Sequence, residues 1–261
     1  MVMSEVERER YNKSSTNPPP GIGWEEHYFV GHWLSSAEMF SQRSLTFESD
    51  RLPALSGIAR HFSERHGQAY HAGIFSGSIL ETLLWRPLDP GILSRPAKYI
   101  APSWSWMSLG GPIKMDVFGT ANVETGLDKS TAMDLLEDIQ FELYPEGENM
   151  YGRLKGGKLR LRGWLQSAEI DRVEDGNPWV QLRAGGKRMA VTTLDFLSDT
   201  PVLATSIRIK CLYILIYEDR LHVLILRKTR KHEEYERVGV AALDPAWYAE
   251  GVARKESIAI I

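Results

Sequence analysis

The 261-residue chain has a single cysteine, Cys211, so no internal disulfide can form and a bridge-stapled fold is excluded. Long apolar runs are missing too. The longest, Cys211 to Tyr217, is far too short to cross a bilayer as a helix, and no membrane partner is expected. Residues 1–13 are charged and lack the apolar core of a signal peptide, which makes the cytoplasm the expected location. The Asn12-Lys13-Ser14 sequon is then a chance match. No charge of one sign dominates. A net charge of -3 gives no global field toward nucleic acid or an anionic membrane, so nucleic acid is not expected as a partner. Internal repeats and coiled-coil heptads are also absent.

What is present suits a globular core: 43% hydrophobic and 25% charged residues. Eight tryptophans is a high count, and several are expected in cores, where each ring N–H needs a partner. Residues 1–23 mix charges with Ser14-Ser15-Thr16-Asn17 and Pro18-Pro19-Pro20-Gly21, and read as a disordered tail or linker remnant. From Trp24 the pattern turns helical, with Trp33, Ala37 and Phe40 on one face. Asp50 reads as the N-cap of a second helix, with Pro53 in its first turn. Leu52, Leu55, Ile58, Ala59 and Phe62 form its stripe, and its stop is near Gly67. Ser78 and Glu81 have capping-box spacing for a short third helix through Leu83, Leu84 and Trp85, ended by Pro87 and Pro90.

After residue 100 the period becomes two. Ile139, Phe141 and Leu143 alternate with polar neighbours, and so do Leu159, Leu161 and Leu165. Val180, Leu182 and Ala184 lead through Gly185-Gly186 to Met189 and Val191, a tight hairpin. Leu212 to Tyr217 and Leu221 to Leu226 flank Glu218-Asp219-Arg220 and read as a central hairpin buried on both faces. Val238 to Leu243 and Ile258 to Ile261 are expected as edge strands. The fold class is therefore α+β. A helical segment of about three helices, 24–100, packs on a mostly antiparallel sheet of seven or eight strands, 101–261, in a sandwich or open barrel. The span 24–261 is expected to be one compact unit.

Candidate chemistry is sparse. Gly152-Arg153-Leu154-Lys155-Gly156-Gly157-Lys158 has P-loop spacing. However, Leu159 stands where a magnesium-holding hydroxyl belongs and a strand follows, so a β-turn is the reading. His61, His66 and His71 recur every five residues, which cannot align on a helix face, so they are not read as metal ligands. Cys211 and His222 lie on facing strands of the hairpin, but no third group orients them. The pairs Glu25-Glu26 and Glu233-Glu234 are neighbours that diverge, and read as solvated surface. No catalytic group, metal or cofactor is expected. The strongest local signal is Ala101-Pro102-Ser103-Trp104-Ser105-Trp106. On an extended segment Trp104 and Trp106 point the same way, either capping a core or forming a platform for a sugar, a peptide or a partner protein.

Three stretches taken together carry a resemblance. The first is Phe40 to Ala59, with Ser49-Asp50-Arg51-Leu52-Pro53-Ala54-Leu55-Ser56-Gly57-Ile58-Ala59 at its heart and Trp33 before it. The second is Tyr70-His71-Ala72-Gly73-Ile74-Phe75, then Leu83-Leu84-Trp85, then the run holding Pro102, Ser103, Trp104 and Trp106. The third is Tyr151-Gly152, Gly157-Lys158-Leu159-Arg160-Leu161-Arg162-Gly163 and Tyr235-Glu236-Arg237-Val238-Gly239. The chain from Trp24 to Gly239 resembles the region that follows the HET domain in heterokaryon-incompatibility proteins of filamentous fungi. The signatures of the HET domain itself are not found: a serine- and tyrosine-containing strand ending in tryptophan–glycine, and a tryptophan–isoleucine–aspartate strand before a cysteine–isoleucine turn. The resemblance implies a non-catalytic recognition or regulatory module in non-self recognition and programmed cell death. Its partner would be a protein or the HET effector domain. It also implies structural roles for Trp33, Asp50, Arg51, Gly57, Trp85, Pro102, Ser103, Gly163, Arg237 and Gly239. The alternatives are a small-molecule or carbohydrate-binding protein, or a weak enzyme, with a pocket near Trp104 and Trp106, and a truncated gene product.

Overall fold

The apolar spacing around Trp33 and Ala37 becomes helix α1 (Trp24–Ser41), in which both residues are fully buried. The structure, a computed structural model, describes residues 24–115, 132–172, 179–196, 206–231, 233–249 and 252–261. The tail 1–23 and its sequon lie outside the described residues. Helix α2 (Arg51–His66) buries Leu52, Leu55 and Ala59 and stops where Gly67 takes φ 63°. Ile58 departs from the expected stripe and is exposed. Asp50 precedes α2 without capping it through its side chain; its carboxylate pairs instead with Arg153 at 2.7 Å.

A small hairpin, β1 (Tyr70–His71) with β2 (Ile74–Phe75), leads to the single turn α3 (Ile79–Leu83). The Ser78–Glu81 capping box does not form. The Ser78 hydroxyl donates to Phe75 O at 3.4 Å and accepts from the Thr82 hydroxyl at 3.0 Å. After that, β3 (Arg86–Pro87) pairs with β4 (Ile113–Lys114).

The remaining strands form one nine-stranded mixed sheet. They are β5 (Met133–Asp134), β6 (Glu137–Pro145), β7 (Leu154–Arg172), β8 (Trp179–Ala184), β9 (Lys187–Thr193), β10 (Ile207–Tyr217), β11 (Arg220–Lys228), β12 (Glu234–Leu243) and β13 (Arg254–Ile260), with α4 (Ala246–Ala249) between the last two. Strand β7 has 19 residues and meets four partners: β6 and β13 along its first part, β10 and β8 along its second. Pairing therefore runs from β7 through β10, β11, β12 and β13 back to β7, a closed circuit. The β12–β13 step is parallel and every other step is antiparallel. Segment 258–261, expected at an edge, lies between β7 and β12, whereas 238–243 is strand-paired with β11 on one side and meets only the isolated Leu194–Gly239 bridge on the other. The β7 partner of 258–261 is far away in sequence, so nothing local in the chain signals that pairing.

Turn chemistry sets the hairpins. Gly185 and Gly186 both take positive φ, as do Glu218 and Asp219, the conformation that two-residue turns between twisted strands require. Along β10 and β11 alternate residues enter two apolar clusters. Cys211, Tyr213, Val223 and Ile225 join one. Leu212, Ile214, Leu224 and Leu226 join the other, together with Trp33, Leu55, Trp85, Trp104 and Trp106. The hairpin is thus buried on both faces, as its nearly continuous apolar runs predict.

Two glycines separate conformational need from convenience. Gly73 has φ 98°, and a Cβ there would lie 2.7 Å from Trp106 Nε1. Its carbonyl accepts from Trp33 Nε1 at 3.1 Å and from Trp106 Nε1 at 2.9 Å. Gly57, inside α2, has open space where a side chain would go. Gly73→Ala is expected to cost more than about 2 kcal/mol from strain and overpacking. Gly57→Ala is expected to stabilise the protein by about 0.5–1 kcal/mol. Urea midpoints of the two variants check both signs.

Candidate functional site

The site forms around a bulge. Between Ile225↔Gly239 and Leu226↔Arg237 the β11–β12 register slips, and the slip turns Arg237 toward the helical segment. Arg237 is fully buried. Its Nε donates to Asp195 Oδ2 at 2.8 Å and its Nη2 to Asp195 Oδ1 at 3.2 Å. Nη1 donates to Leu83 O at 2.6 Å, and Nη2 also donates to Trp85 O. The guanidinium lies 3.6 Å from the centre of the Trp85 ring, a cation–π contact out of water. Burial pushes the Asp195 carboxyl up and the Arg237 guanidinium down, and each group's charge opposes the shift of the other.

The backbone around Arg237 is tied as well. Arg237 N donates to Ser103 Oγ at 3.0 Å, while the Ser103 hydroxyl donates to Ile261 O. Asp195 N donates to Val238 O at 2.9 Å. Trp85 Nε1 donates to Trp104 O at 3.1 Å, which joins the tryptophan run to the same knot. Gly239 forms a bridge with Leu194, and a Cβ at Gly239 would stand 3.3 Å from Leu194 Cδ2.

This knot is one wall of an elongated cleft of about 640 Å³. Segment 95–101 lines another side. Lys155 to Lys158 at the start of β7 line it too, as do Ile170, Ile207 and Ile209. Two carboxylates bridge the middle. Glu236 binds Arg227 at 2.8 Å and Arg95 at 3.1 Å; burial works against its charge, but the two guanidinium groups hold its carboxyl below the usual range. Glu234 binds Lys158 at 2.6 Å and Lys231 at 3.8 Å, and the hydrogen bond from Lys158 lowers its pKa. Glu234 is thus buried in ion pairs, unlike the solvated surface residue its sequence neighbourhood suggests, whereas Glu233 is exposed. The side chains of Glu25 and Glu26 lie outside the described residues.

The tryptophan pair sits behind this wall. Trp104 and Trp106 are both 0% exposed and neither ring lines the cleft, although Ala101, Ser103, Ser108 and Leu109 of the same run do. The run is not extended. Ser105 caps a 3-10 turn at Trp106–Ser108 by accepting from Met107 N at 3.1 Å. Trp104 packs edge-on against Phe141 at 5.2 Å, and its Nε1 has no hydrogen-bond partner among the described residues.

The other resemblance positions divide by role. Trp33, Trp85 and Pro102 are buried in the core, and a Cβ on Gly163 would meet Leu212 Cδ1 at 2.8 Å. Arg51 is 6% exposed; its Nε and Nη2 lack hydrogen-bond partners among the described residues, and burial lowers its pKa. No motif in the sequence singles out Asp195. The one local hint is an aspartate closing the alternating run of β9, and the arginine that needs it is 42 residues away.

The remaining candidates are dispersed. Residues 152–158 form a turn and the start of β7. His61 and His66 lie on α2, while His71 stacks on Phe141 at 4.1 Å. Cys211 pairs with Ile225 and His222 with Leu215, so the two are not cross-strand partners. Burial pushes the Cys211 thiol up to about 12, which leaves it un-ionised at neutral pH. No described helix is long and apolar enough to cross a membrane. Compared with known protein families, curated proteins and solved structures, the chain finds no match.

Two measurements follow from this geometry. Arg237→Met leaves Asp195 buried without its partner and is expected to cost about 3–5 kcal/mol; adding Asp195→Leu should recover part of that loss. Arg153→Ala, which breaks the exposed pair with Asp50, should cost about 1 kcal/mol or less. Burial pushes the His71 and His222 imidazoles from 6.5 down to about 4. Below pH 6.5 the unfolded chain therefore takes up protons that the folded chain refuses, so stability falls as pH drops toward 4. Urea midpoints across that window should fall less in the His71→Gln/His222→Gln variant.

Proposed function

We propose that the chain is a non-catalytic recognition module, of the kind found after the HET domain in fungal incompatibility proteins, and that it works through the cleft beside Arg237. One observation carries this reading. Trp85 and Ser103 of the second stretch of the resemblance and Arg237 of the third meet in one knot, with links spanning 134 and 152 residues, and that knot is a cleft wall. Shared positions that converge in space to shape one concavity are what a common recognition scaffold requires. The pairing circuit is read as an open barrel, with the helical segment packed against one face. The location is read as cytoplasmic, and the partner as a HET effector domain or another protein of the cell-death response.

The second reading, a small-molecule binder, is favoured by the same cleft and not by the tryptophan rings. Its volume of about 640 Å³ falls in the range of ligand pockets. In this version the ligand occupies the cleft and the rings only support its wall.

The mass of the native polypeptide in its own cells tests the leading reading. A species well above 29.6 kDa, carrying a HET domain ahead of residue 24, is expected. A species of 29.6 kDa would remove the covalent effector from the proposal. In that case, failure of an added HET domain to bind the chain would end the HET reading altogether.

A further inference from the structure

The cleft's charge is lopsided in a chain whose net charge is -3. Among the described residues, seven cationic side chains line it against three carboxylate side chains and the terminal carboxylate of Ile261. Asp195 is ion-paired with Arg237, and Arg95 also acts on its charge. Glu236 is shared between Arg95 and Arg227, and Glu234 between Lys158 and Lys231. Lys98 and Lys155 make no ion pair among the described residues. Cationic side chains thus outnumber carboxylates by three around this concavity among the described residues. Low-dielectric walls focus such a field, so an anion gains more here than at an open surface.

The lining is also divided by polarity. Lys155 and Lys158 stand at the start of β7, and Tyr144 of β6 lies beside them. Ile170 stands near the other end of β7, with Ile207, Ile209 and Leu194 around it. A free inorganic anion would use only the first end, and a neutral apolar molecule only the second. One class of ligand satisfies both.

Resting on the reading of this cleft as the recognition site, we infer that it binds a small amphiphile with an anionic head group. The head lies among Lys98, Lys155 and Lys158, and the apolar body runs toward Ile170, Ile207 and Ile209. A carboxylate and a phosphate monoester share the required chemistry, and the phosphate carries the larger charge. Lys98 and Lys155 act as positioning charges on exposed backbone, so replacing them leaves the core untouched.

Isothermal titration of the full chain tests this with decanoate, decyl phosphate, decanol and decyltrimethylammonium, each below its micelle concentration. The expected result is saturable one-to-one binding of decanoate and decyl phosphate, with decanol weaker by about tenfold or more and the cation not bound. K98Q/K155Q should weaken both anions about tenfold while leaving the urea midpoint and decanol binding unchanged. Tighter binding of decyl phosphate than of decanoate would identify a phosphate ester as the natural class, and the reverse order a carboxylate. Equal binding of decanol and decanoate would overturn the anion inference and leave the cleft reading intact. Anion binding unchanged in K98Q/K155Q would overturn the assigned head-group site. Absence of saturable binding by all four probes would overturn both the inference and the small-molecule form of the cleft reading.

Discussion

A guanidinium cut off from water must find all its partners inside the protein, and the position of Arg237 follows from that requirement. Stripped of its hydration, the cation needs a counter-charge, acceptors in its own plane and a polarisable face. Asp195, the carbonyls of Leu83 and Trp85, and the Trp85 ring supply them. These partners come from two parts of the chain far from each other and from Arg237. Satisfying one side chain therefore fixes the segment after α3, the end of β9 and the bulge in β12 relative to each other. Such a pair adds little net stability beyond what a well-packed apolar trio would give. Its value lies in specificity, because an alternative packing would leave a charge buried alone.

The same arrangement explains how much could be read from the residues. Local rules succeeded where the cause was local. The α2 stop at Gly67, the Gly185-Gly186 turn and the doubly buried hairpin are each decided within a few residues. They failed where another group competes for the same atom. The Asp50 carboxylate is drawn to Arg153 instead of capping α2, and the Ser78 hydroxyl is taken by Phe75 O and Thr82. The tryptophan run bends into a 3-10 turn because the Ser105 hydroxyl serves both Met107 N and Ala72 O. Segment 258–261 looked like an edge because its partners β7 and β12 lie well before it in sequence and the β12 pairing is parallel.

The cleft was only partly legible. The motif pointed to the neighbourhood of Ser103, and the structure places the concavity on the far side of that segment from the indole rings. Charge content gave no hint, since the chain as a whole is slightly acidic. Only folding gathers Lys98, Lys155, Arg227 and Lys231 from three stretches of sequence. Shared carboxylates hold several of these cations in place, so the positive rim is largely preorganised and an incoming group would meet donors already oriented.

Strand β7 has a consequence for how the molecule comes into being. Hairpins such as β8–β9 and β10–β11 join neighbours and can form within microseconds. The contacts of β7 with β13 join Leu159 to Ile260 and Leu165 to Arg254, and such non-local closures carry the chain-entropy cost that slows β-rich folding to roughly milliseconds or seconds. Until they form, a long strand rich in leucine exposes unsatisfied backbone to whatever chain is nearest. The cell that makes this protein therefore faces a race between closing the circuit and aggregation, and the exposed charges of Arg160, Arg162 and Glu169 along β7 act as gatekeepers during that interval.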